Sequence, residues 1–135
     1  MLGEAPTLKL GCYSCMFSGC TSLTTAPELP ATTLKGNCYS SMFEGCTSLT
    51  TAPDLPAATL VRSCYYRMFA NCSNLNYIKA LFTTTPPSTP YDTNQYTHYW
   101  VNGVAATGTF VKSSSASWDV IGVHSIPSGW TIETE

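Results

Sequence analysis

Cys12-x-x-Cys15, with Cys20 close behind, gathers three thiols in one short segment. Thiols so spaced serve as a redox pair or as ligands of zinc. Cys38 and Cys64 hold the place of Cys12 in later copies of the segment, where the second cysteine becomes Ser41 or Arg67. A structural zinc site closes a tetrahedron of ligands, and neither His98 nor His124 has metal spacing to this group. No metal, redox chemistry or cofactor is therefore expected. Nucleophilic catalysis has no better footing. Ser113-Ser114-Ser115 reads as a loop, and the chain has neither a Gly-x-Ser-x-Gly elbow nor a phosphate-binding glycine loop. Asp119 and His124 lie five residues apart, a pairing that chance supplies in a solvated turn. The chain reads as a non-enzyme. Two further constellations suit binding: the acids Glu28 and Asp54, and the aromatic column Tyr13, Tyr39 and Tyr65, read as core packing or as a ladder for stacking sugars.

The length of 135 residues suits a single domain with a buried core. Six Lys plus Arg against eight Asp plus Glu give a net charge of −2. That balance argues against duplex nucleic acid and anionic membrane, which both reward clustered positive charge. Charged residues are 10% of the chain, against about 25% in an ordinary soluble domain. Hydrophobic residues at 44% still argue against disorder. No signal peptide and no apolar run long enough to span a membrane is visible.

Positioning rests on a repeat. Residues 12–37 and 38–63 are identical at 19 of 26 positions, and a third copy opens at Cys64 and runs to residue 82. Two cysteine columns share the period: Cys12, Cys38 and Cys64, then Cys20, Cys46 and Cys72. Both are expected as internal ladders of free thiols, because side chains in register leave their Cβ atoms about 4.8 Å apart, too far for a relaxed disulfide. Cys38, Met42 and Cys46 at i, i+4 and i+8 predict one face of a short helix, with Asn37 and Ser63 as N-caps and Gly19, Gly45 and Asn71 as stops. The prolines of Pro-x-Leu-Pro then favour extended chain, and the third copy reads as a strand over 75–81. Beyond residue 82 the period is lost. Residues 92–101 predict a short helix ending at Gly103, and residues 107–112 and 130–133 predict short strands. Trp100, Phe110, Trp118 and Trp130 are too many large aromatics for a floppy tail.

Phe17-Ser-Gly-Cys20-Thr-Ser-Leu23, Phe43-Glu-Gly-Cys46-Thr-Ser-Leu49 and Phe69-Ala-Asn-Cys72-Ser-Asn-Leu75 repeat one motif in register. It resembles the BspA-like (type 5) leucine-rich repeats of bacterial surface proteins, and the tail is similar to the C-terminal segment of gut commensal members. The resemblance covers residues 5–82. It departs from the family in Ala-Pro-Glu-Leu-Pro, where an Ile-Pro strand is usual, and in a shortened N-terminal coil. It implies cell-surface display, an extracellular location and adhesion.

The expected fold is an α/β repeat: a right-handed leucine-rich-repeat solenoid with short parallel strands, short helices and a β-rich cap. The expected divisions are a truncated coil over 1–11, repeats over 12–37, 38–63 and 64–82, and a cap over 83–135. The expected function is binding of a protein or glycan partner. Nucleic-acid binding and membrane insertion are not expected, and end-to-end self-association through the first coil is allowed. The alternative is a spacer or assembly segment of a larger cell-envelope or phage protein. Positions that vary between matching copies are the candidate contact surface: Glu28, Asp54, Glu44, Lys35 and Arg62.

Overall fold

The computed structural model describes residues 8–135; residues 1–7, most of the expected N-terminal coil, lie outside the described residues. Three strands form, β1 Tyr77–Ala80, β2 Thr109–Lys112 and β3 Thr131–Thr134. They make one sheet in the order β1-β2-β3. Both pairings are parallel, with Ile78 opposite Phe110 and Phe110 opposite Ile132. Isolated bridges Thr51–Tyr77 and Leu55–Ala80 extend the parallel pairing into the second repeat.

Among the described residues there is no helix. The expected α/β leucine-rich-repeat solenoid with short helices is corrected to a small β-rich domain. The segments read as helices are ribbons of consecutive turns, over 9–20, 35–46, 61–72 and 94–104. Within the first three ribbons every second N–H closes a four-residue turn, as in Cys38 to Lys35, Met42 to Tyr39 and Cys46 to Phe43. The intervening N–H groups point along the stack to the next ribbon: Tyr39 to Cys64, Phe43 to Met68 and Gly45 to Ala70. Five such bonds join each neighbouring pair of ribbons.

The backbone dihedrals explain why no helix survives. Every fourth ribbon residue has positive φ, as at Asn37 (57°), Ser41 (54°) and Gly45 (76°). All eight non-glycine residues with positive φ occupy these columns. A type II turn needs a left-handed residue at its third position, whereas an α-helix cannot contain one. A strict period of four also fits the burial. Cys38, Tyr39, Met42, Phe43 and Cys46 are all buried, at i, i+1, i+4, i+5 and i+8. Asn37 and Ser63 are thus left-handed turn residues rather than N-caps.

The expected helix over 92–101 is corrected in the same way. Asp92 accepts the Asn94 N–H at 2.8 Å, and the chain then forms the fourth ribbon, left-handed at Gln95, Tyr99 and Gly103. Ser63, Tyr65, Arg67, Phe69 and Asn71 donate to it in order.

Stacked rings run through the core. Tyr13, Tyr39 and Tyr65 follow one another at 6.0 and 6.1 Å, and Phe17, Phe43 and Phe69 at 5.6 and 5.8 Å. Trp100 meets the ends of both columns, 5.8 Å from Tyr65 and 6.0 Å from Phe69. Trp100, Trp118 and Trp130 are buried, and each indole N–H finds a backbone carbonyl, on Ser125, Phe82 and Ala105. Those bonds remove the penalty of burying the indole donor.

Gly108 marks the tightest crossing. A Cβ there would stand 2.5 Å from the Asn76 carbonyl oxygen and 2.8 Å from the Trp130 ring.

Candidate functional site

The Ala-Pro-Glu-Leu-Pro and Ala-Pro-Asp-Leu-Pro segments leave the ribbons and run side by side. Leu29 and Leu55 are buried and anchor each segment to the core. Prolines on both sides of each leucine fix φ and withhold N–H groups, so the backbone is stiff and unable to pair on that side. Glu28 and Asp54 stand beside these leucines and are exposed. Together they line an open groove of about 260 Å³ whose walls are Pro27, Pro30, Pro53 and Pro56. A second trough, about 330 Å³, continues from it through Ala26 and Pro53 and is lined by Thr24, Thr25, Thr50 and Thr51. Carboxylates, hydroxyls and proline rings therefore share one continuous face.

The other three candidate residues lie elsewhere. Lys35 and Arg62 are exposed at the starts of the second and third ribbons and do not line the groove. Glu44 is engaged within the fold. Arg67 of the next ribbon donates to it through Nε at 3.3 Å and Nη2 at 2.9 Å. That hydrogen-bonded pairing holds the Glu44 carboxyl below its ordinary range and raises the Arg67 guanidinium. Glu44 is thus a bridge between ribbons. Arg67 was missed in the sequence because it stands in the column of Cys15 and Ser41, which gives no hint of a partner.

The face beyond Asp54 changes sign. Lys79 pairs with Glu135 at 2.9 Å; Glu135 first, and Asp54 from farther away, raise the Lys79 ammonium above its ordinary value.

Two of the three tyrosines in the column cannot stack sugars, while Tyr13 is half-buried. Tyr39 and Tyr65 are 1% exposed, their rings pressed between neighbouring rings. The cysteine ladders are internal only in part. All seven cysteines are free, with Cys38, Cys46, Cys64 and Cys72 buried but Cys12, Cys15 and Cys20 exposed on the first ribbon. Burial pushes the Cys38 thiol up to about 11 and those of Cys64 and Cys72 up to about 12. It raises Cys46 as well. These four are packing groups with little thiolate character.

His98 and His124 escaped the sequence reading as a pair. Their ring centroids lie 5.2 Å apart, both are buried, and burial lowers both below the ordinary imidazole value. His124 Nδ1 accepts the Tyr99 N–H at 2.9 Å, so it faces the chain rather than Asp119 as a catalytic partner. No cluster of three or more His, Cys, Asp or Glu side chains among the described residues could hold a metal ion.

Comparison with known proteins gives no match to a family model, to a curated protein or to a solved structure.

Proposed function

We propose that this chain is a non-catalytic binding module that receives a polypeptide segment in the groove of Glu28 and Asp54. One observation carries the reading: two exposed carboxylates from successive repeats share a groove walled by four prolines. Proline walls offer apolar contact on a backbone whose ordering entropy is already low. The two acids attract a lysine or arginine on the incoming segment. A protein partner is favoured over a glycan because two of the three tyrosines that would stack sugars, Tyr39 and Tyr65, are buried. The BspA-like motif supports display at a bacterial cell surface and an adhesive role.

The test is binding of the purified chain to an array of extracellular matrix proteins and glycans, beside a Glu28→Lys, Asp54→Lys variant. The expected result is a protein hit that weakens with salt and is lost in the variant. A hit of unchanged affinity in the variant refutes the groove. No hit from a cleanly folded chain refutes the binding reading and favours the spacer or assembly role.

A further inference from the structure

Residues 120–126 cover the fourth ribbon, and four hydrogen bonds fasten them to it. The Val101 N–H donates to the Val123 carbonyl at 3.3 Å and the Tyr99 N–H to His124 Nδ1 at 2.9 Å. Thr97 Oγ1 donates to the His124 carbonyl, and the Trp100 indole to the Ser125 carbonyl at 2.8 Å. The covering residues also bond to one another, Gly122 to Ile126, Ser125 to Gly122 and Ile126 to Val120, so they keep their shape as one loop. Three of the four fastening acceptors are carbonyls. The fourth is an imidazole nitrogen, the one acceptor among them that takes up a proton between about pH 5 and pH 8.

As acceptor from Tyr99, His124 is the neutral tautomer with its proton on Nε2. A second proton, on Nδ1, would point at the Tyr99 N–H, donor against donor, and that bond would be lost. His98 lies beside it with ring centroids 5.2 Å apart, is 1% exposed, and has no partner for either ring nitrogen. Charge on His98 would be buried without a hydrogen bond, and charge on both rings would repel. The other groups around the pair do not cancel this. Asp92 favours charge on His98, but burial outweighs it, and His98 itself opposes charge on His124. Tyr99 meets the His124 ring edge-on at 4.6 Å. From the third ribbon Arg67 acts on Tyr66 and Tyr99, and its guanidinium is held by Glu44.

We propose that residues 120–126 are an acid-released latch on the fourth ribbon, with His124 as its trigger and His98 as a second proton-binding ring beside it. Closed, the latch requires both rings to be neutral. Two protons set a donor against a donor and a cation against a cation, and the loop lifts as a unit. Release exposes the Tyr99 and Val101 N–H groups and the Trp100 indole. The Glu28–Asp54 groove lies on the first two repeats, so latch and groove can fail independently.

The test is hydrogen exchange of the whole chain, read at the Tyr99 and Val101 amides at about pH 7.5 and about pH 5. Beyond the intrinsic pH trend, their exchange should speed up about tenfold or more in acid. It should also stay faster than that of Tyr39 and Phe43 and be insensitive to low urea, the mark of a local opening. His124→Asn keeps an oxygen acceptor for Tyr99 that does not titrate, and there most of the acceleration should vanish. Imidazole titration of the parent by NMR guards against a variant that fails to fold: His124 should take up its proton in step with the opening. Exchange that does not speed up in acid, that responds to urea as Tyr39 does, or that speeds up fully in His124→Asn overturns the proposal. So does a His124 ring that stays neutral until the whole chain unfolds.

Discussion

Replacing Gln95 by glycine separates a turn ribbon from a helix by the sign of the effect. Gln95 has φ of 53°, is half-buried, and has no side-chain bond to lose. Holding a non-glycine residue left-handed costs about 1–2 kcal/mol, which glycine avoids. Glycine in turn gives the unfolded chain about 0.4–1 kcal/mol more conformational entropy. The balance is a gain of roughly 0.5–1 kcal/mol for Gln95→Gly. In a helix the same change would lose nearly 1 kcal/mol, because glycine is the poorest helix former after proline. Gln95→Val sharpens the contrast. A β-branched side chain at positive φ should lose about 1 kcal/mol or more, against a few tenths in a helix. For 135 residues each kcal/mol moves the melting midpoint by about 3 °C. The assay is urea and thermal unfolding of the three proteins, with the urea slope held constant. A Gln95→Gly protein less stable than the parent, with Gln95→Val near neutral, would refute the ribbon.

Three other outcomes are expected. Under a thiol-specific reagent near pH 8, Cys12, Cys15 and Cys20 should react in a fast phase while the four buried cysteines wait for unfolding. At that pH a thiol pushed to about 12 is roughly one part in ten thousand thiolate, against about a quarter for an ordinary thiol. More than three fast equivalents would sink this. Gly108→Ala should lose about 1–3 kcal/mol, because the new Cβ meets the Asn76 backbone where Thr109 bonds to it; an unchanged urea midpoint would contradict the crossing. Acid should weaken the fold through the histidine pair. Both imidazoles have folded pKa values below the ordinary value of about 6.5, so the unfolded chain takes up their protons first. Their contribution is complete above about pH 6.5 and is lost as pH falls through the depressed folded values. Asp92 partly opposes the shift at His98, and a proton on His124 Nδ1 would face the Tyr99 N–H. His98→Phe should flatten the fall in urea midpoint between about pH 7.5 and about pH 5, and a slope unchanged in that variant would clear His98.

The strands near 77–80, 109–112 and 131–134 and the packing role of the tail aromatics were legible in the residues. The turn ribbons were not. Apolar residues at i, i+4 and i+8 satisfy a period of four as readily as 3.6, and the deciding signal was the left-handed column. Gly11, Gly19, Asn37 and Gly45 hint at it. Cys15, Arg67, Gln95 and Tyr99 do not, because the bonds to the next ribbon outweigh their local preference. The fourth ribbon was hidden by a change of spacing: Tyr77 pairs with Thr109, 32 residues on, where the earlier period is 26. At the site, Glu28 and Asp54 share a column in the sequence and a groove in space. Glu44 looked equally free, and only the fold shows Arg67 reaching it.

The groove extends over two repeats, and the third copy explains where it stops. Where the first two read Thr-Ala-Pro-acid-Leu-Pro, the third reads Tyr77-Ile78-Lys79-Ala80-Leu81-Phe82. Without the prolines this segment has the N–H groups to pair on both sides. It forms β1, with Leu55 donating to the Lys79 carbonyl and Thr109 to that of Asn76. Ala80 stands in the column of the two carboxylates, and Lys79 beside it, in the column of Pro27 and Pro53, brings an ammonium held by Glu135. Proline content thus sets the length of the groove. A partner can place one short segment between Glu28 and Asp54, an area well below that of a stable protein–protein interface. Single-site affinity should therefore be modest, and tight attachment would come from several modules acting together. Immobilising the chain at high density and at low density on a sensor surface distinguishes the two. Retention that rises steeply with density fits the short groove, whereas tight retention at low density would require a contact surface larger than these two repeats present.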